Sequence, residues 1–179
     1  SIWYYAQLWG WKYAVGFVFA ILIHELGHVY AAYQQGIPVS APVFIPGMGA
    51  MILHKSSDHS VWSDAEIGYG GPLWGVSMGV FYLVGANYFS SPLLQALAYT
   101  TFLLNLFNLM PIMPLDGGWI TRAVSPRLWI VGVLGMGGLM FTGHIRNPLV
   151  FILILAALPQ VWRGLRYGHK DHGQEGLSN

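Results

Sequence analysis

No charged residue occurs between Glu66 and Asp116, and none occurs between Glu25 and Lys55. Each stretch is longer than the roughly 20 predominantly apolar residues that a transmembrane helix needs. Over the whole chain of 179 residues, 8% are charged and 55% are hydrophobic, whereas a soluble domain carries about 25% charged residues. A water-facing surface cannot be built from this composition. We therefore predict a protein that crosses the lipid bilayer several times.

The composition excludes several functional classes. Six of the eight cations lie beyond residue 120 and are spread thinly, so no nucleic-acid partner is expected. The chain contains no Cys, which excludes a disulfide framework and a thiolate site. Eight Trp residues suit the aromatic belts at the two surfaces of a membrane.

Five membrane-spanning helices are predicted, over about residues 9–33, 71–89, 93–109, 128–142 and 148–162. Residues 37–66 are predicted not to be helical, because prolines and glycines interrupt an apolar stretch whose Val, Ile and Phe favour short extended pieces. Non-helical backbone at membrane depth needs protein or a water-filled cavity around it. The predicted fold class is an all-α polytopic membrane protein with a short β-like, membrane-associated segment after the first helix.

The cations predict the orientation of these helices. With five spans, one side of the membrane receives six cations and the other side receives Lys12 and Arg146. The positive-inside tendency places the six-cation side, and with it the C-terminus, in the cytoplasm. The six are Lys55, Arg122, Arg127, Arg163, Arg166 and Lys170.

The first predicted span contains His-Glu-Leu-Gly-His at residues 24–28. Residues four apart lie on one face of a helix, so His24 and His28 can offer nitrogens to one metal ion. Glu25 can then reach a water on that metal. The alternative is a polar cluster at a helix end with no catalytic role. An ionisable residue at membrane depth is costly and indicates function, which favours the metal site.

A catalytic zinc ion takes three protein ligands and a water, so a third ligand is required. Asp116 is the candidate, because it ends the long charge-free stretch. Pro111 and Pro114 break the preceding helix, and the glycines at 117–118 allow close backbone approach. The first and third spans run in the same direction with both motifs toward their C-terminal ends, so the ligands are expected to meet.

Together, these motifs resemble the site-2 protease family of intramembrane zinc metalloproteases. The resemblance rests on His-Glu-x-x-His at 24–28 and on Asn-x-x-Pro-x-x-Pro-Leu-Asp-Gly at 108–117. Residues 71–75, Gly-Pro-Leu-x-Gly, are similar to the family's glycine-proline motif. The match covers about residues 10–120, the catalytic core of the family, and two paired motifs in the right order make it specific.

The resemblance implies an intramembrane zinc endopeptidase. Such an enzyme hydrolyses a peptide bond within or near a transmembrane segment of a membrane-anchored protein, so a single-span membrane protein is the expected substrate. His24, His28 and Asp116 are implied as ligands of one Zn²⁺ per chain. Glu25 is implied as the catalytic base, and Asn108 as a catalytic polar group near the scissile bond.

We further expect a single transmembrane protease domain over residues 1–167 and a polar tail over 168–179. Neither residues 37–66 nor the tail is long enough for the PDZ or CBS domain that many family members carry, which predicts a minimal form. The expected location is a prokaryotic cell membrane, with the active site toward the cytoplasm.

Other interpretations stay open at this point. The same His and Asp residues could serve a metal-binding transporter or channel, although no repeat symmetry is visible. Asn105 is expected to make an interhelical hydrogen bond. His54 and His59 are expected in a solvated loop, unless one of them plugs the open zinc position. Residues 43–53 could pair as a strand with an unwound substrate.

Overall fold

The computed structural model describes residues 2–38, 43–45, 49–51, 60–125 and 127–142 and, further on, residues 151, 154–155, 157–159 and 161–162. The last group is helical. The chain divides into two compact units, Ser1–Asn108 and Leu109–Asn179. The described part is mainly helical, which confirms the predicted helical class. Its elements are α1 Ile2–Trp9, α2 Trp11–Gln34, β1 Val43–Ile45, β2 Gly49–Met51, α3 Val61–Phe89, α4 Pro92–Asn108, α5 Asp116–Val124 and α6 Leu128–Phe141.

Helix α2 corresponds to the first predicted span. Gly10 separates it from α1 with a positive φ of 85°, a conformation that glycine adopts without a steric penalty. At the other end, Gly36 has a φ of 69°, and the amide of Ile37 donates to the carbonyl of Ala32. Gly36 therefore ends the helix in the way that is typical of a glycine after a helix C-terminus. Among the described residues, α2 is the helix long and apolar enough to cross a bilayer, with a mean hydropathy of 1.6.

Helix α3 begins ten residues before its predicted start, so the prediction that residues 61–66 are not helical is wrong. The hydroxyl of Ser60 accepts a hydrogen bond from the amide of Ser63 at 3.1 Å, which caps the helix. Asp64 lies in the first turn, where its charge favours the helix N-terminus. The predicted span began at Gly71, inside the charge-free stretch that follows Glu66. The neighbouring Pro72 lies buried inside the helix, although proline is disfavoured there.

Within the first unit, small residues bring α2, α3 and α4 together. A Cβ atom on Gly70 would lie 2.5 Å from the carbonyl oxygen of Gly27, so the backbones of α2 and α3 are in direct contact. A Cβ atom on Gly79 would lie 2.6 Å from the ring of Phe102 on α4. Small residues on α3 therefore allow close approach both to α2 and to α4. Beside these contacts lies a core of five buried residues, Ala20, Met78, Tyr82, Leu97 and Ala98.

Strands β1 and β2 pair in antiparallel fashion, with Val43 opposite Met51 and Ile45 opposite Gly49. The backbone here is extended, and β2 lies beside α2. Association of this hairpin with the membrane stays a prediction. His54, His59, Ile52 and the tail 168–179 lie outside the described residues.

In the second unit, α5 is a helix that the sequence analysis did not predict. It has nine residues and two glycines near its start, which lower helix propensity. Asp116 in its first turn and Arg122 in its last favour the helix electrostatically. The indole of Trp129 on α6 donates to the carbonyl of Gly118 at 3.0 Å. Tertiary contacts therefore stabilise a helix that propensity alone does not predict.

Candidate metal centre

His24 and His28 lie one turn apart on α2, and both are buried, with 3% and 9% of their surface exposed. Their rings meet edge to face with centroids 4.9 Å apart. The two Nε2 atoms face each other at 3.2 Å. The predicted juxtaposition of the two imidazoles is therefore present within the first unit.

The remaining ring nitrogens are both held by oxygen atoms. Nδ1 of His28 lies 2.7 Å from the backbone carbonyl of Ile67, which can only accept, so this nitrogen donates. Nδ1 of His24 lies 2.9 Å from Oδ1 of Asn105. The Asn105 amide is oriented because its Nδ2 donates to the carbonyl of Thr101 at 2.7 Å. In neutral imidazoles, both protons are thus assigned to Nδ1.

This assignment leaves a lone pair on each Nε2 atom, and the two lone pairs face one another. Without a cation between them such an arrangement is repulsive. Two histidine nitrogens bound at about 2.0–2.1 Å to a tetrahedral zinc ion lie about 3.3 Å apart, close to the 3.2 Å between the Nε2 atoms of His24 and His28. The two histidines therefore fit a shared zinc ion.

Gly71 on α3 lies directly against these nitrogens. A Cβ atom at this position would overlap Nε2 of His28 and lie 2.8 Å from Nε2 of His24. Any side chain would therefore overlap the imidazole of His28 and press on that of His24. Glycine lets both rings keep the positions in which their Nε2 atoms face each other.

Two further predicted residues lie beside the histidines in the first unit. Glu25 follows His24 on α2 and is 8% exposed, so its carboxyl group is largely shielded from solvent. Asn108 is the last residue of α4, and its Nδ2 lies 3.4 Å from Nε2 of His24. The structure therefore brings the Asn108 amide to a proposed ligand atom.

The fifth predicted residue, Asp116, belongs to the second unit. It is the first residue of α5 and is partly buried. A Cβ atom on Gly117 would overlap the carbonyl of Leu109, and one on Gly118 would lie 2.7 Å from the carbonyl of Ile112. The preceding turn is thus packed directly on the start of α5, which fixes the backbone that carries the Asp116 carboxylate.

The sequence analysis missed two contributions to the site. Gly71 was identified only as part of the glycine-proline motif, although its contact with the histidine nitrogens requires a residue without a side chain. The carbonyl of Ile67, which holds His28, could not be found from sequence because it is a backbone group. The family's glycine-proline motif at 71–75 was the one signal that pointed to this part of α3.

Comparison with known proteins agrees with these features. The profile of peptidase family M50 matches residues 12–92 and 85–129. The zinc metalloprotease MJ0392 of Methanocaldococcus jannaschii is 31% identical over 113 residues, which are 60% of this chain and 32% of that protein. The protein sll0528 of Synechocystis sp. is 29% identical over 127 residues, 64% of this chain and 33% of its own length. The chain thus spans about a third of the length of the curated relatives it matches.

Among solved structures, the site-2 protease from Methanocaldococcus jannaschii has a similar fold, with a TM-score of 0.57 at 24% sequence identity. The alignment covers 92% of this chain and 82% of that one. The family profile spans both the motif at 24–28 and the motif at 108–117. The chain therefore belongs to peptidase family M50, the site-2 protease family, as its motifs predict.

Proposed function

We propose that this chain is the membrane-embedded core of a zinc endopeptidase. The observation that carries the proposal is the pair of Nε2 atoms on His24 and His28, 3.2 Å apart, with both Nδ1 atoms held by oxygen acceptors. Glu25 stands between these two histidines on a helix that has no other Asp, Glu, Lys or Arg after Lys12. Membership of peptidase family M50 supports the same function.

His24, His28 and Asp116 are the residues we propose to hold one zinc ion. Two neutral imidazoles and one carboxylate are a common donor set for catalytic zinc and leave it a net positive charge. When bound, the ion acts as a Lewis acid that polarises the scissile carbonyl and lowers the pKa of a water toward about 7.

The residues of the chain then perform the proton transfers. The carboxylate of Glu25 accepts a proton from the attacking water and delivers it to the nitrogen of the leaving amine. The amide of Asn108 ends α4 beside His24, where its Nδ2 can donate to a substrate carbonyl oxygen. Burial of Glu25 keeps bulk water from competing for these transfers.

The exposed aromatic residues of α2 support a site at membrane depth. Trp11 at its start is 57% exposed, and Tyr30 near its end is 46% exposed. At about 1.5 Å per residue these two side chains are about 29 Å apart along the helix axis, close to the roughly 30 Å thickness of the hydrocarbon core. Exposed aromatic rings favour the membrane interfaces. His24 and His28 lie between them, nearer to Tyr30.

From this depth we infer the class of substrate. A peptide bond that reaches His24 lies within or near a transmembrane segment, so the proposed substrate is a single-span, membrane-anchored protein. The proposed location is a prokaryotic cell membrane, crossed about five times. The positive-inside tendency supports an active site toward the cytoplasm. The alternative of a metal transporter or channel has no support from the family match.

The experiment that tests this function uses the purified chain and a purified single-span substrate in detergent or in vesicles. Cleavage that a zinc chelator abolishes and added zinc restores is the expected result. Uptake of zinc into sealed vesicles without any cleavage would instead support transport. The absence of both activities in a zinc-loaded preparation would contradict the proposed function.

A further inference from the structure

Asn105 holds His24 from the side opposite its proposed metal-binding nitrogen. It lies on α4 with 1% of its surface exposed, and its Oδ1 is 2.9 Å from Nδ1 of His24. The sequence predicted an interhelical hydrogen bond for this residue, and the bond is present. Its partner, however, is a proposed metal ligand, so the contact does more than join two helices.

The orientation of the Asn105 amide is determined by its other end. Nδ2 donates to the carbonyl of Thr101 at 2.7 Å, and a reversed amide would place two acceptor oxygens against each other there. Oδ1 therefore faces His24 and requires a proton on Nδ1. A neutral His24 is thereby held in the tautomer that carries its lone pair on Nε2.

Gly75 on α3 makes this arrangement possible. A Cβ atom at Gly75 would overlap Oδ1 of Asn105 and would lie 2.5 Å from its Nδ2 and 2.7 Å from its Cγ. The amide group thus fills the space that an absent side chain leaves. Residues of three helices, α2, α3 and α4, define a single orientation of the Asn105 amide.

We propose that Asn105 is a positioning residue, which fixes the tautomer and ring orientation of His24 for zinc binding through its Oδ1. The proposal rests on the proposed function, because it takes His24 to be a zinc ligand. Partners of this kind behind ligating histidines typically change metal affinity by about 10–100-fold when they are removed. Asn105 does not touch the substrate, so it is not a catalytic residue.

The test is the zinc dissociation constant of the purified chain, measured by competition with a chromogenic chelator. Asn105→Leu removes the acceptor without leaving room for a water, and we expect zinc affinity to fall about 10–100-fold. Asn105→Asp restores an acceptor for Nδ1 and should recover most of the loss. Gly75→Ala, which displaces the amide without removing it, should also weaken zinc binding.

Tyr13→Phe is the matched control for a purely structural role. The hydroxyl of Tyr13 donates to Thr100 at 2.8 Å, so this variant also removes one side-chain hydrogen bond between α2 and α4. It should lower the melting temperature and leave zinc affinity unchanged. The proposal is overturned if Asn105→Leu behaves in the same way, with zinc affinity at the wild-type value. Should that variant fail to fold, wild-type zinc affinity in Gly75→Ala would overturn it equally.

Failure of the proposed function gives a different result. His24→Ala must lose most of the zinc affinity of the wild-type chain if His24 is a ligand. If wild-type protein and His24→Ala bind zinc equally, the metal assignment itself is wrong, and the role proposed for Asn105 falls with it. If His24→Ala loses zinc and Asn105→Leu does not, only the positioning role is overturned.

Discussion

Gly71 and His28 are in such close contact that a Cβ atom on the glycine would overlap the imidazole of His28 at Nε2 and Cε1. The same Cβ atom would lie 2.8 Å from Nε2 of His24. Helix α3 therefore forms one wall of the candidate metal centre without contributing a side chain to it. Both histidine rings can hold these positions because residue 71 is a glycine.

Gly71→Ala is expected to lower zinc affinity by about 10–100-fold, which is the typical loss when a group that orients a metal ligand is changed. The added methyl group must displace one of the histidine rings, because both ring nitrogens lie within its contact distance. Zinc content after dialysis against a weak chelator measures the effect. Gly135→Ala is the matched control, since a Cβ atom there meets nothing within 4 Å, and its stability should change by no more than about 1 kcal/mol. Equal zinc content in both variants would show that Gly71 does not limit the site.

Asp116→Ala should lose zinc together with activity, because only two strong protein ligands would remain. Elemental analysis of the purified variant measures this directly. Asp116→Asn is a second variant of nearly the same shape, which retains an oxygen ligand but lacks the charge, and we expect intermediate zinc retention. If Asp116→Ala keeps one zinc per chain, the third ligand has been misassigned, and His54 or His59 becomes the next candidate.

Met51→Pro tests whether the hairpin pairs with an unwound substrate. Each backbone group that unwinding exposes at membrane depth costs several kcal/mol if it stays unpaired, and a strand edge could pair with such groups. Met51 is the last residue of β2. Because successive amides of a strand point to opposite edges, a proline at only one of two neighbouring positions would remove an amide that faces the substrate. The proline is therefore also placed at Ile52, in a second variant. We expect one of the two proline variants to cleave a helical substrate at least about tenfold more slowly, as an unpaired group of this cost implies, with zinc content unchanged.

The control for that prediction is the substrate. A transmembrane segment weakened by Gly or Pro near the cleavage site needs less help to unwind, so the same variants should cleave it at nearly the wild-type rate. Full activity of both variants on an intact helical substrate would exclude pairing with this hairpin.

Several features of the fold and site were predictable because they depend on local sequence. The apolar length of α2, its glycine stop at Gly36 and the one-turn spacing of His24 and His28 all follow from helix periodicity and composition. The helical end of α4 at Asn108 follows from Pro111, which removes a backbone donor. These signals involve few residues and no tertiary contact.

The remainder depended on tertiary contacts that a single sequence does not reveal. Helix α5 is short and glycine-rich at its start, and the hydrogen bond from Trp129 to Gly118 comes from the next helix. The start of α3 was misplaced because the predicted span began at Gly71, inside the charge-free stretch that follows Glu66, whereas the Ser60 cap lies eleven residues earlier in a polar stretch. The hydrogen bond between Nδ1 of His24 and Oδ1 of Asn105 joins residues that are 81 positions apart in the sequence.

The most direct test of the central claim is to measure zinc content and substrate cleavage on a single preparation of Glu25→Gln. Glutamine preserves the shape of the side chain but cannot accept the proton from the attacking water. We therefore expect one zinc per chain, as in the wild-type protein, with cleavage of a single-span substrate reduced by about 10²–10⁴-fold, the usual contribution of a general base. Wild-type cleavage by zinc-loaded Glu25→Gln would contradict the assignment of Glu25 as the base, and with it the proposed endopeptidase mechanism.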